Sequence, residues 1–163
     1  MGTGKTGRVL STAGSSGSVS QFALVHAVEG DFRRSSKKDG GRLRLFNGGH
    51  GQKSMSMHER YGIGYKILKT YENGVRIGNV DNHKKKGKRE CGEQAWFPKS
   101  WREKDIEKAG IHVAKLPSNR HTPDGNPVFG MYHKVRVGVI RTNGKIATIF
   151  PDLKQPPLKK GHR

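Results

Sequence analysis

Lys134-Val135-Arg136-Val137-Gly138-Val139-Ile140-Arg141, then Thr142-Asn143-Gly144-Lys145, then Ile146-Ala147-Thr148-Ile149-Phe150-Pro151 is the stretch that decides the fold. Two runs rich in β-branched residues, which favour strands, flank the pair Asn143-Gly144. Asn-Gly is typical of two-residue type I′ hairpin loops because both central residues must adopt a positive φ. The stretch therefore predicts two antiparallel strands. Pro151 has no N–H to donate and should end the second one.

The position of the loop also sets the register of this predicted hairpin. Side chains alternate between the two faces of a strand, so Thr148 and Phe150 should share one face. The hairpin would then present a hydroxyl group and an aromatic ring side by side at the margin of a sheet. The expected cross-strand pairs are Thr142 with Lys145, Val139 with Thr148, and Val137 with Phe150.

The amino-acid composition indicates a polyanionic partner. The 163 residues contain 32 lysines and arginines against 13 acidic residues, which gives a formal net charge of +19. Such an excess of one charge destabilises a compact state by self-repulsion, and a bound polyanion relieves it. Nucleic acid is the first candidate, followed by an anionic membrane surface and an acidic protein.

Cysteine content and hydropathy limit the kind of protein that this sequence can form. Cys91 is the single cysteine, so neither an intramolecular disulfide nor a thiolate metal cluster can form within the chain. No run approaches the roughly 20 apolar residues that a membrane-spanning helix needs. Only 31% of the residues are hydrophobic and 23 are glycines, which indicates many turns and a modest core.

The sequence divides into one main domain and two flanking segments. Residues 1–20 are rich in glycine, serine and threonine and predict a flexible leader. The predicted domain covers residues 21–155, and residues 156–163 form a basic tail. An apolar run at 22–28 is too short to be assigned to helix or strand from its period. A basic, exposed loop is expected at 33–39.

Further elements indicate an α+β fold with antiparallel sheets. A second Asn-Gly pair, Asn73-Gly74, predicts another hairpin within residues 61–80. Ser100-Trp101-Arg102-Glu103 has the pattern of a capping box. We therefore expect a helix at 101–109, with Gly110 as its C-cap.

The sequence shows no clear metal site. Its thirteen acidic residues are scattered, whereas metal-dependent nucleases need clustered carboxylates or a histidine–carboxylate ligand set. RNA can be cleaved without a metal because its 2′-hydroxyl is a built-in nucleophile once a base removes its proton. Two histidines and a lysine suit this reaction as base, acid and cation, since imidazole titrates near neutral pH.

Two of the eight histidines lie in contexts that suit such a site. His26 lies in the apolar run that ends at a Gly-Asp turn. His50 lies in Gly48-Gly49-His50-Gly51, where glycines allow a phosphate to approach the backbone. Simpler alternatives are open at this point: a half-buried structural His26, an ordinary loop His50, a solvated lysine run at 84–88 and a core Phe150.

Four motifs occur in a characteristic order: His26-Ala27-Val28-Glu29-Gly30-Asp31-Phe32, the Gly-Gly-His ending at His50, Trp96-Phe97-Pro98-Lys99-Ser100-Trp101 before a helix, and Thr148-Ile149-Phe150-Pro151. Together they resemble the EndoU ribonuclease superfamily, in particular its bacterial branch, over roughly residues 22–155. That branch occurs as C-terminal toxin domains of large secreted or surface-displayed effectors, including contact-dependent growth inhibition systems. The resemblance implies an EndoU-like α+β fold with a partly helical N-terminal subdomain, antiparallel sheets and a C-terminal β-hairpin.

The resemblance also implies a His-His-Lys active site. His50 matches the glycine-flanked histidine and would be the general base toward the 2′-hydroxyl, while His26 matches the first histidine and would be the acid toward the leaving oxygen. The lysine should come a few residues before the aromatic-Pro segment. Lys88 is our choice, with Lys86 and Arg89 as competitors.

The terminal motif implies the substrate contacts. Thr148 matches the family's hydroxyl residue, which contacts base or phosphate, and Phe150 stands where the family usually has tyrosine and could stack on a base. Gln94-Ala95-Trp96 replaces a Ser-Thr that often precedes Phe-Phe-Pro. These two departures give no basis for predicting uridylate specificity. A third departure is the longer gap between the two histidines, which holds the basic residues 33–44.

The function implied is a metal-independent endoribonuclease toxin that needs no cofactor. It would cleave structured RNA, tRNA above all, to 2′,3′-cyclic phosphate and 5′-hydroxyl ends. The implied partners are a cognate, acidic immunity protein and a parent effector N-terminal to this domain, which delivers it into the target-cell cytoplasm. The alternatives are a non-enzymatic basic RNA-binding module and a metal-dependent DNase toxin.

Overall fold

The computed structural model describes residues 19–158. Residues 1–18 and 159–163 lie outside the described part, so the predicted leader and most of the predicted tail remain predictions. Within residues 19–158 the chain forms four α-helices and eight strands. They are α1 Gln21–Val28, β1 Asp31–Arg34, β2 Leu43–Asn47, α2 Gln52–Tyr61, β3 Tyr65–Thr70, β4 Arg76–Val80, α3 Lys86–Glu90, β5 Gln94–Trp96, α4 Glu103–Lys115, β6 Val128–Tyr132, β7 Val135–Thr142 and β8 Lys145–Pro151.

The strands form three antiparallel sheets, as expected for the predicted α+β fold. The strand β1 pairs with β2, the strands β3, β4 and β5 form a second sheet in that order, and β6, β7 and β8 form the third. Each pairing is antiparallel and joins strands that are neighbours in the sequence. No helix of residues 19–158 has the length and apolar character needed to cross a membrane.

The C-terminal hairpin forms at the predicted Asn-Gly pair, but its register differs from the prediction. Asn143 and Gly144 have φ values of 54° and 74°, as a type I′ loop requires, and Thr142 pairs with Lys145. A β-bulge then inserts Ala147 as an extra residue, so the pairs predicted beyond the turn are wrong. The observed pairs are Ile140 with Thr148, Gly138 with Phe150, and Val137 with Pro151.

The bulge changes which side chains reach the core. Without it, Ile146 would share a face with Thr148 and Phe150, because side chains alternate along a strand. With it, Ile146 and Ile149 are both buried, while Thr148 and Phe150 are only half-buried on the opposite face. The hairpin can therefore complete the core and still present the hydroxyl and the ring elsewhere.

The larger core lies between α4, α1 and the third sheet. Ile106 and Val113 of α4 pack in one cluster with Val137 and Ile149 of the sheet. Gly110, which we expected to be the C-cap, lies within the helix instead. A side chain at this position would collide with Ile149 of the sheet. A glycine thus serves close helix–sheet packing here rather than helix termination.

The ends of α4 also correct the predicted helix at 101–109. The helix begins after Arg102 rather than at Ser100, because the Asp105 carboxylate accepts the Arg102 backbone N–H at 2.7 Å. The capping-box pattern was thus assigned two residues too early. The helix continues to Lys115, where Leu116 has an extended backbone.

The structure shows the conformation of two segments that the sequence left undecided or only partly specified. The apolar run at 22–28 is helical, and the Ser20 hydroxyl caps it by accepting the Ala23 N–H at 3.1 Å. The second predicted hairpin is confirmed as β3 and β4. In its longer loop Gly74 has a φ of 96°. Asn73 is not among the positive-φ residues, so the loop is not the two-residue kind.

A smaller core lies between α2, β2 and the second sheet. Leu45, Met55 and Trp96 are each no more than 1% exposed there. Two histidines, His58 and His83, are buried to the same degree near this cluster. The ring of His58 lies 5.4 Å from Phe32 and 5.8 Å from Tyr65, centroid to centroid.

Candidate active site

One open pocket of about 670 Å³ brings together the residues that the sequence singled out. His26, His50, Lys88, Thr148 and Phe150 all line it, although up to 124 positions separate them in the chain. They come from α1, from the turn before α2, from α3 and from β8. The geometry therefore places the predicted residues at one site, while their chemical roles stay predictions.

The two histidines are neighbours because a glycine turn caps the end of α1. The last carbonyl groups of a helix have no partner within it and need donors from elsewhere. Here three successive backbone N–H groups of the turn supply those donors. Gly49 donates to the His26 carbonyl at 3.0 Å, His50 to Ala27 at 2.7 Å and Gly51 to Val28 at 3.0 Å.

Replacing Gly48 by alanine should disrupt this cap. Gly48 has a φ of 70°, and an added Cβ would collide with the carbonyl group of His26. We expect Gly48→Ala to lower the free energy of unfolding by about 2–4 kcal/mol. Thermal unfolding measures this loss.

Gly41→Ala is the matched control for this change. Gly41 also has a positive φ, 61°, but an added Cβ there would meet nothing within 4 Å. Gly41→Ala therefore carries the free-energy cost of a left-handed backbone conformation without the collision. Equal losses in the two variants would contradict the explanation from close approach.

His50 is held as a neutral imidazole with a defined tautomer. Its side chain is buried, and Nδ1 lies 2.8 Å from the Ala95 carbonyl oxygen. A carbonyl oxygen only accepts, so Nδ1 carries the proton and Nε2 carries the lone pair. Burial, and next the positive charge of Lys88, lower the pKa of His50 to about 3. At neutral pH His50 is therefore unprotonated, and its Nε2 is an acceptor.

His26 is oriented by a carboxylate. Its Nδ1 lies 2.9 Å from Oδ2 of Asp31, at the start of β1. A carboxylate also only accepts, so Nδ1–H donates and Nε2 is left for a substrate. The sequence marked Asp31 only as part of a turn and did not predict this contact. Its spacing of five residues from His26, across Gly30, was the available signal.

Lys88 is the candidate cation that reaches the pocket. Of the three residues considered, Lys88 lines it, Lys86 is exposed, and Arg89 donates to the backbone carbonyls of His83 and Lys84. Burial, followed by the charge of Lys85, lowers the pKa of Lys88 to about 8. The cationic run is in part a short helix rather than a solvated loop, and Lys85 also lines the pocket.

Phe150 belongs to the pocket rather than to the core. Its ring lies over Gly138, where a side chain would collide with it. The centroid is 6.2 Å from that of His50 and 5.9 Å from that of Phe129, edge to face. Thr148 lies on the same face, two pairs closer to the turn. The interpretation of Phe150 as a core residue is therefore wrong.

Gln94 supports the site in a way that the sequence did not predict. Its side chain is fully buried, and Nε2 donates to the Gly48 and Gly49 carbonyls at 3.2 and 3.0 Å. It thus fixes the glycine turn from the side of β5. In the sequence Gln94 stands out only as a departure from a family motif, because a contact across 45 positions leaves no local pattern.

The pocket combines an oriented neutral imidazole, a carboxylate-linked imidazole and a lysine beside a hydroxyl and an aromatic ring. Such a set can accept one proton, donate another and stabilise negative charge. Within residues 19–158 no three or more histidine, cysteine or acidic side chains are grouped so that they could hold a metal ion.

Comparison with known proteins identifies the family. The family model described as bacterial EndoU nuclease matches residues 23–153, which is most of the chain. Neither the curated proteins nor the solved structures gave a match. The matched range contains His26, His50, Lys88, Thr148 and Phe150, all of which line the pocket. The chain belongs to the bacterial EndoU nuclease family.

Proposed function

We propose that this nuclease is a metal-independent endoribonuclease toxin that cleaves structured RNA, tRNA above all, by transesterification. The observation that carries the proposal is the pairing of the two histidines in one pocket. Both have Nδ1 fixed by an acceptor, so both have Nε2 left for the substrate. Base, acid and cation are then all supplied by side chains, and the reaction needs no further group.

The proposed reaction is a single in-line displacement at phosphorus. Nε2 of His50 takes the proton of the ribose 2′-hydroxyl, and the 2′-oxygen forms a bond to phosphorus. The bond from phosphorus to the 5′-oxygen breaks, and the imidazolium form of His26, which carries its second proton on Nε2, protonates the leaving oxygen. Lys88 stabilises the charge on the phosphoryl oxygens. The products are a 2′,3′-cyclic phosphate and a 5′-hydroxyl.

The substrate follows from the shape and charge of the site. Phe150 offers a ring on which an unpaired base can stack, and Thr148 offers a hydroxyl to base or phosphate. Unstacked bases occur in the loops of folded RNA, which a net charge of +19 binds through the phosphates. These features favour a structured RNA with exposed loops, and tRNA fits that description.

The biological setting that we propose is a toxin domain of a larger secreted or surface-displayed effector, such as that of a contact-dependent growth inhibition system. The domain would act in the cytoplasm of the target cell. A cognate immunity protein would protect the producer, and an acidic surface would complement the basic toxin. The single cysteine, Cys91, is exposed, and the fold depends on no disulfide.

The test is an incubation of the purified protein with tRNA and with plasmid DNA in the presence of EDTA. We expect RNA fragments with 2′,3′-cyclic phosphate ends, and intact DNA. Cleavage of DNA that requires added metal would replace the proposal with a metal-dependent DNase. Binding of RNA without cleavage would replace it with a non-enzymatic RNA-binding module.

The rate of cleavage should fall at alkaline pH because of Lys88. Its pKa is lowered to about 8, so the cation is present below that pH and is lost as the pH rises through it. We expect the rate to fall by up to about tenfold per pH unit above pH 8. Pre-steady-state rates from pH 6 to 10 measure this. Lys86→Met, which alters an exposed neighbour, should retain the decline, and Lys88→Met should lose both the activity and the decline.

A further inference from the structure

Three cationic side chains gather around one phenyl ring beside the catalytic pocket. We call Arg33, Arg44, Lys84 and Phe46 the Phe46 cluster. The guanidinium carbons of Arg33 and Arg44 lie 4.2 and 5.9 Å from the centre of the Phe46 ring, and the Lys84 ammonium lies 4.0 Å from it. Two of the cations come from the basic β1–β2 segment, and the third comes from the loop before α3.

Among the side chains that the structure describes, no acidic group is paired with a cation of the Phe46 cluster. Arg33 and Arg44 face each other across the β1–β2 pairing, and like charges in that position are destabilising. An anion bound at these side chains would relieve the repulsion between them.

The ring explains how the cations are held ready for a ligand. A cation over an aromatic face is attracted by the negative face of the ring, by about 0.5–1 kcal/mol at exposed sites. Phe46 is half-buried and fixed by the strand, so it restricts the long side chains that lie against it. Less side-chain entropy is then lost when an anion binds.

The Phe46 cluster adjoins the pocket through two separate segments. Asn47, next to Phe46, and Lys85, next to Lys84, both line the pocket that contains His50 and Lys88. A strand whose scissile phosphate lies in the pocket can therefore continue over the cluster.

We propose that the Phe46 cluster binds a backbone phosphate of the RNA substrate outside the scissile linkage. This proposal rests on the proposed ribonuclease function and adds a second contact point for the same strand. Guanidinium groups and ammonium groups are the side chains that bind phosphate. The site makes affinity depend on RNA length, whereas the chemical step depends on the pocket alone.

The test compares the wild type with the triple variant Arg33→Gln/Arg44→Gln/Lys84→Gln. Binding is measured with labelled 2′-O-methyl RNAs of two and twelve nucleotides, which cannot be cleaved because the 2′-hydroxyl is blocked. We expect the variant to bind the longer RNA at least about tenfold more weakly and the dinucleotide equally well. The slope of log K against log salt should fall by about 0.7, the value for one lost phosphate contact on a single strand.

The matched control is Lys104→Gln/Lys108→Gln/Lys115→Gln on α4, which removes the same charge from exposed positions. Its affinity for the longer RNA should stay within about twofold of wild type. In cleavage assays the cluster variant should show a raised KM for long RNA with kcat unchanged. Equal loss in both triple variants, or no loss in either, would overturn the proposed site. Absence of cleavage by the wild type would instead refute the ribonuclease function, which the binding assay does not require.

Discussion

His50→Asn is expected to lower kcat for RNA cleavage by about 10²- to 10⁴-fold, the usual contribution of one acid–base group. The asparagine amide can still donate to the Ala95 carbonyl, the acceptor that now receives the His50 Nδ1–H at 2.8 Å. It has no basic nitrogen in place of Nε2. The variant should therefore keep the turn and lose the base. Single-turnover rates with a defined RNA measure the loss.

Two controls separate this chemical effect from a structural one. The melting temperature of His50→Asn should stay within about 4 °C of wild type, the shift that about 1 kcal/mol causes in a domain of this size. His121→Ala changes an exposed histidine that is not among the residues lining the pocket, and should retain full activity. Retained activity in folded His50→Asn would show that another group is the base.

Acidification is expected to destabilise the fold steeply below about pH 6. Burial is the largest cause that lowers the pKa of His50 to about 3, of His58 to about 4 and of His83 to about 3, from an ordinary value of 6.5. The unfolded chain therefore binds protons at a pH where the folded chain does not. The stability is complete above pH 6.5 and is lost as the pH falls. Three such groups give a slope of up to about 4 kcal/mol per pH unit.

His58 is the best position at which to test this. Its side chain is fully buried, and neither ring nitrogen has a hydrogen-bond partner among the described residues. A leucine there leaves no polar group unpaired, so His58→Leu should be at least as stable as wild type at pH 7. Urea unfolding between pH 7 and 4.5 should show a slope lower by about 1.4 kcal/mol per pH unit.

The exposed His121 supplies the comparison for this experiment. His121→Leu is the matched substitution at an exposed position. If His58→Leu unfolded with the same pH dependence as wild type, burial of this imidazole would not be the cause. Wild-type stability that was independent of pH down to pH 4.5 would contradict the whole account.

Secondary-structure elements were predictable from the sequence where a local conformation requires one particular residue type. The pair Asn143-Gly144 needed two positive φ values and was located correctly. The register beyond the turn was not predictable from the turn alone. It depends on the bulge at Ala147, which allows both Ile146 and Ile149 to be buried. Gly110 misled for a similar reason, because its role depends on the approach of Ile149 from the sheet.

The same contrast between local patterns and tertiary contacts applies to the candidate site. His26, His50 and Lys88 were chosen from motifs, and the structure brings them to one pocket. Asp31 and Gln94, which orient those groups, were missed. A motif records residue types along the chain, whereas an orienting hydrogen bond depends on which elements meet in space. Supporting residues are thus harder to find than the groups that they support.

The distribution of the pocket along the chain makes the nuclease latent until folding is complete. His26 and His50 are present early in the chain, but β8 supplies Thr148 and Phe150 and packs Ile149 against α1 and α4. Contacts between distant segments form only after long loops have closed, so they come late in folding. A chain that is still extended therefore has every reactive group and no assembled pocket. The pocket is complete only when the third sheet has formed.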